Sequence, residues 1–124
     1  MKKEIIILFA GPKESTSKEL YPFLKEKGYR LIVLKNLKET LLTLQDQRVD
    51  ALVLDAALLE EDCGFISVIK GIEKDLPIIV CAESNTPELE SKIRKQKIFY
   101  YHIKSFGIED LEMAVSNAVN GLPL

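Results

Sequence analysis

The chain has no tryptophan, one histidine, two cysteines and two methionines among its 124 residues. The two thiols do not make a metal site. Cys63 stands by an acidic stretch and Cys81 in an apolar run, and the pair reads as reduced thiols of a cytoplasmic protein. His102, the single histidine, has no nucleophile predicted beside it and is read as an ordinary strand residue rather than a catalytic one. An excess of either charge is also missing. Seventeen basic residues face nineteen acidic ones, for a net charge of −2, and no basic surface of the nucleic-acid-binding kind stands out. Lys92, Arg94, Lys95 and Lys97 cluster, but they alternate with Ser91, Ile93 and Gln96 and read as a solvated helix face. Long hydrophobic runs are absent too. After Met1-Lys2-Lys3-Glu4 the apolar stretch is too short for a signal peptide or a membrane span, so no membrane association is expected. There is no repeat, low-complexity segment or internal linker.

What remains is a chain of single-domain length, 47% apolar, with strand and helix patterns in alternation. Ile5 to Phe9 is a continuous apolar run, as expected of a strand covered on both faces. A helix carrying Leu20, Phe23 and Leu24 follows and ends at Gly28. Pro22 within it fits only near the helix start or at a kink. Leu31–Leu34 is the second strand, and Leu37, Leu41 and Leu44 share a helix face. Ala51–Leu54 is the third strand, closed by Asp55. Phe65, Val68, Ile69 and Ile72 form the apolar side of the third helix. Ile78–Cys81 is the fourth strand, and Thr86–Lys97 is a helix with only Leu89 and Ile93 on its apolar side. The fifth strand lies near Phe99–Ile103. Ile108, Leu111, Val115 and Ala118 mark a last helix, stopped by Gly121 and Pro123. Five strands alternating with five helices predict a doubly wound parallel α/β sheet in a domain over residues 1–120, with 121–124 as the start of a linker.

In such a sheet the working site lies beyond the carboxyl ends of the strands, at the switch in winding direction. Asp55 and Lys104 close two of the strands there, whereas the first strand runs into Gly11-Pro12. The loop after it, Gly11 to Lys18, is rich in hydroxyls, but it lacks the second Gly-Lys of a Walker motif. Ser15, Thr16 and Ser17 read as helix caps, Thr16 with Glu19 as a capping box.

These residues resemble the receiver domain of two-component response regulators across nearly the whole chain. Asp55 falls at the position of the phospho-acceptor, Lys104 at that of the family's lysine, and Tyr101 at that of its switch aromatic. Ser105 stands in the proline position, followed by Phe106. Asp62-Cys63-Gly64 resembles the Asp-Gly after the acceptor. The positions of the family's acid pair hold Gly11 and Pro12, and the hydroxyl position holds Ala82. The resemblance implies strand order 2-1-3-4-5, a flavodoxin-like (βα)5 fold. It also implies a degenerate receiver with no catalytic residues and no bound metal. Magnesium needs about six oxygen ligands, and Gly11 and Pro12 supply no side-chain oxygen.

The function expected from this is phosphorelay signalling through protein contacts. The partner is a histidine kinase, another receiver, an output domain or a second copy of the chain. The Tyr100, Tyr101 and Phe106 surface is the candidate interface. Two alternatives stay open. One is a phosphorylatable Asp55 with a divergent magnesium site that uses Glu14. The other is a flavodoxin-like flavin or nucleotide module, for which the missing tryptophan removes a common stacking partner that Tyr100 and Tyr101 could replace.

Overall fold

The least polar segments become the middle of the protein. β3 (Ala51–Asp55) and β4 (Ile78–Ala82) are buried along their whole length, as continuous apolar runs in a doubly covered parallel sheet must be. β1 (Ile6–Ala10) lies beside β3, β2 (Arg30–Leu34) forms one edge and β5 (Tyr100–Ile103) the other. The sheet is parallel throughout, as the alternating pattern predicts, and its order is β2-β1-β3-β4-β5, as the resemblance implies. The computed structural model describes residues 4–59, 64–83 and 87–122. The expected Asp62-Cys63 signature, Thr86 at the start of the fourth helix, and Pro123 lie outside them.

Alternation along the strands divides the core in two. Leu8, Leu52, Leu54, Ile78, Val80 and Tyr101 face the layer of α2 (Leu37–Asp46), α3 (Phe65–Ile72) and α4 (Pro87–Arg94). Ile7, Phe9, Val53, Ile79 and Cys81 face α1 (Ser15–Lys27) and α5 (Glu109–Val119). Each fully buried aliphatic side chain contributes roughly 1.5–3 kcal/mol, so most of the stability resides in these two layers.

Local chemistry fixes the helix ends. Gly28 takes φ +77° and closes α1, while the Tyr29 N–H reaches the Leu24 carbonyl at 2.9 Å. The Asn36 side chain caps α2 by accepting the Glu39 N–H at 2.8 Å. In α4, Glu88 and Glu90 sit in the first turn and Lys92 and Arg94 in the last, as the helix dipole favours.

Several expectations need correction. Pro22 is not near the start of α1 but in its middle, where it forgoes the bond its absent N–H would have made to the Lys18 carbonyl. The Thr16–Glu19 capping box does not form. The cap position is Glu14, and the hydroxyl that helps there is Ser17 Oγ, which donates to the Glu14 carbonyl at 2.9 Å. On α3 the buried side is Phe65, Ile66 and Ile69, whereas Val68 is 50% exposed. An eight-residue helix has room for a narrow stripe only, and Ile66 rather than Val68 fills it.

Candidate functional site

The strand register gathers the candidate residues at one rim. Ala10 pairs with Leu54, so Gly11 follows β1 beside Asp55 at the end of β3. Ala82 pairs with Ile103, so Lys104 emerges one residue beyond the end of β4. Lys104 Nζ lies 2.7 Å from Asp55 Oδ2, bridging across the intervening strand, and 3.4 Å from Glu83 Oε1. Asp55 is only 4% exposed. Its other oxygen, Oδ1, accepts the Ala57 N–H at 2.9 Å at the start of a 3-10 turn (Ala56–Leu59). Both carboxylate oxygens are therefore engaged. Burial pulls the Lys104 ammonium down, but the hydrogen bond and charge of Asp55, with Glu83 adding, outweigh it. The lysine stays charged above its ordinary pKa.

Gly11 is held against this pair. Its N–H donates to the Leu34 carbonyl at 2.9 Å, tying the end of β1 to β2. A Cβ at position 11 would stand 2.9 Å from the Asp55 Cβ and 2.9 Å from Phe9 Cε1. A side chain there must displace Asp55, Phe9 or the backbone between them. Pro12 is exposed and offers no oxygen, and Ala82 is buried and offers no hydroxyl. Glu14 turns outward, toward Lys18 at 3.5 Å and Lys35 at 3.9 Å. Among the described residues no three His, Cys, Asp or Glu side chains converge to hold a metal. Among the described residues, the donors at this rim do not fit the octahedral coordination that magnesium requires. The buried Asp55 carboxylate is already satisfied by an ammonium and an amide.

The aromatic residues separate. The Tyr101 ring is buried toward the α4 layer, with the Arg94 guanidinium 5.4 Å from its centroid. Tyr100 is half-buried toward α5, and Phe106 is 77% exposed. Of the three candidate interface residues, Phe106 alone presents most of its ring to solvent. Arg94 is also bonded to Glu90, at 2.6 Å, so the basic cluster of α4 is partly neutralised.

A second polar cluster, not anticipated from the sequence, joins β5 to α5. The Tyr100 hydroxyl donates to Asp110 Oδ2 at 2.9 Å, and His102 Nδ1 meets the same oxygen at 2.8 Å. Burial pushes the Asp110 carboxyl up, but the hydrogen bonds from His102 and Tyr100 prevail and hold it below the usual carboxylate value. Alternation in Tyr100-Tyr101-His102 placed two polar tips on the α5 side. Asp110, however, read as one of several acids in a first helical turn, and nothing in the sequence singled it out.

No family model matches the sequence, and no curated protein matches it. Solved structures do. A CheY-like response regulator receiver domain protein from Methanospirillum hungatei superposes with TM-score 0.83 at 13% identity, covering 96% of each chain. The signal receiver domain of an HD domain-containing protein from Pseudomonas fluorescens gives 0.85 at 20% identity, covering 98% of this chain and 90% of that one. The beryllofluoride-activated NtrC4 receiver domain dimer gives 0.83 at 24% identity, covering 94% and 97%. The fold is therefore that of the response-regulator receiver domains. Among the described residues no helix is long and apolar enough to cross a membrane.

Proposed function

We propose that this chain is a receiver-like signalling domain that works by protein contact, without a magnesium-dependent phosphoryl switch and without catalysing a reaction. The observation that carries this reading is the contact at Gly11. A Cβ at position 11 would crowd the Asp55 and Phe9 side chains at 2.9 Å, so an acid there would have to displace one of them. Phosphoryl transfer to a carboxylate depends on positioning and charge neutralisation. Here Lys104 neutralises Asp55 itself, and Ala82 offers nothing to grip a transferred group.

Lys104 and Asp55 then act as a tie across the rim. The partner is a histidine kinase, another receiver, an output domain or a second copy of the chain. The exposed Phe106, two residues past Lys104, supports contact on that side, as does the dimeric state of one structural relative. Glu14, needed by the alternative of a displaced metal site, is occupied by two lysines. The loop needed by the flavin or nucleotide alternative is only the four residues between β1 and α1.

The test is titration with beryllofluoride and magnesium, followed by amide NMR, beside incubation with a small phosphodonor and mass spectrometry. The spectrum and the mass are expected to stay unchanged. A mass gain of one phosphoryl group that disappears in Asp55→Asn would overturn the reading.

A further inference from the structure

A groove of about 570 Å³ lies at the amino ends of β4 and β5, at the opposite end of the sheet from Asp55. Its volume is in the range of sites that take small organic molecules. Asp55 does not line it, so a ligand held there is independent of whether the aspartate accepts a phosphoryl group. Its apolar lining includes Ile98 and Phe99, both half-buried, and Leu122, which is 52% exposed. A left-handed turn at Gly121 (φ +69°) folds the chain back at the end of α5, and the Leu122 N–H reaches the Asn117 carbonyl at 2.9 Å.

Three lysines from three segments border the groove. Lys70 comes from α3, Lys74 from the turn before β4 and Lys97 from the turn before β5. Among the described residues none of the three has an ion pair. They face one acid in the lining, Asp75, so positive charge gathers here in a chain whose net charge is −2. Lys97 is also the single non-glycine residue with positive φ among the described residues, at +61°. Glycine would hold that turn without strain, and what the lysine adds is an ammonium at the edge of the groove. Backbone strain of this kind collects at ligand sites.

A small inorganic anion would leave the apolar lining wet, and a neutral apolar molecule would leave three ammonium groups without a counter-charge. We propose that the groove binds a free aliphatic carboxylate of medium chain length, its chain along Phe99 and Leu122 and its carboxylate among Lys70, Lys74 and Lys97.

The experiment titrates the whole chain with octanoate below its micelle concentration, following amide NMR, with acetate, octanol and an acidic tetrapeptide as controls. Saturable shifts centred on Lys97, Phe99 and Leu122 are expected, with a Kd near ten millimolar or about tenfold either side of it. Each control should bind at least about tenfold more weakly. Lys97→Gly relieves the strained turn and removes the ammonium, and should weaken octanoate binding about tenfold while the fold is kept. Lys74→Gln, which leaves that turn as it is, should weaken it by a similar factor. No shift at these residues, an equal response to any one control, or undiminished binding by both variants would each overturn the proposal. So would movement of the same resonances on simple dilution of the free protein, because a second copy would then occupy the groove.

Discussion

Two aspartates at the same end of the sheet are used in opposite ways. Asp55 is buried on a central strand, and each of its oxygens has its own donor, Lys104 and Ala57. Asp110 sits on the first turn of α5, and one of its oxygens serves both Tyr100 and His102 while the other is buried without a partner. The first arrangement ties β3 to β5 across β4, through residues forty-nine positions apart in sequence. The second ties β5 to the helix that follows it, over eight to ten residues. A long-range pair in which every atom is satisfied resists local opening. A short-range cluster with an unsatisfied atom is the weaker of the two.

The long-range tie is tested most severely at Lys104. Lys104→Met would leave Asp55 buried with only the Ala57 N–H, and about 3 kcal/mol of stability should be lost in urea unfolding. A loss below about 1 kcal/mol, the value of an exposed pair, would mean that the tie is mostly solvated. Next is Gly11→Ala, where the new Cβ must displace Asp55 or Phe9. A cost of about 2 kcal/mol is expected, with the amide resonances of Asp55 and Phe9 shifted.

Tyr100→Phe removes one of the two donors to Asp110 and should cost about 1 kcal/mol. The pH dependence tests Asp110 and Lys104 at opposite ends of the scale. Because Asp110 is held below its usual value of 3.8, its contribution is fully present above that pH and is lost as pH falls through the lower folded value. Asp110→Asn should therefore flatten the acid side of the stability profile. The Lys104 contribution, held above the usual 10.5, is complete below that pH and fades only as pH rises past the folded value. The smallest effect is expected at Lys97, away from both clusters. This non-glycine residue has φ +61° just after α4, and Lys97→Gly should stabilise by about 0.5–1 kcal/mol in the same unfolding assay.

The layered fold could be read from the sequence because its signals are local and repeated. Ile78–Cys81 and Ala51–Leu54 have no polar face, and only the middle of a covered sheet accepts such runs. The rim was legible for the same reason, since strand ends in a parallel sheet all point one way. Residues whose roles depend on the third dimension were hidden. Gly11 reads as a missing acid, and only the structure places Asp55 where its side chain would be. Asp110 was concealed among Glu109 and Glu112 in one helical turn. Thr16 looked like a cap because its sequence neighbours fit a capping box, but α1 has already begun at Ser15.

Cys81 lies at the centre of this architecture, on β4 between β3 and β5, and burial pushes its thiol far above the usual range. Electrophiles need a thiolate they can reach, so in the folded domain this sulfur is inert. With Cys63 replaced by serine, alkylation of the one thiol left would count the moments when the strands part. The domain thus carries an internal clock for its own opening, against which the strength of any bound partner could be timed.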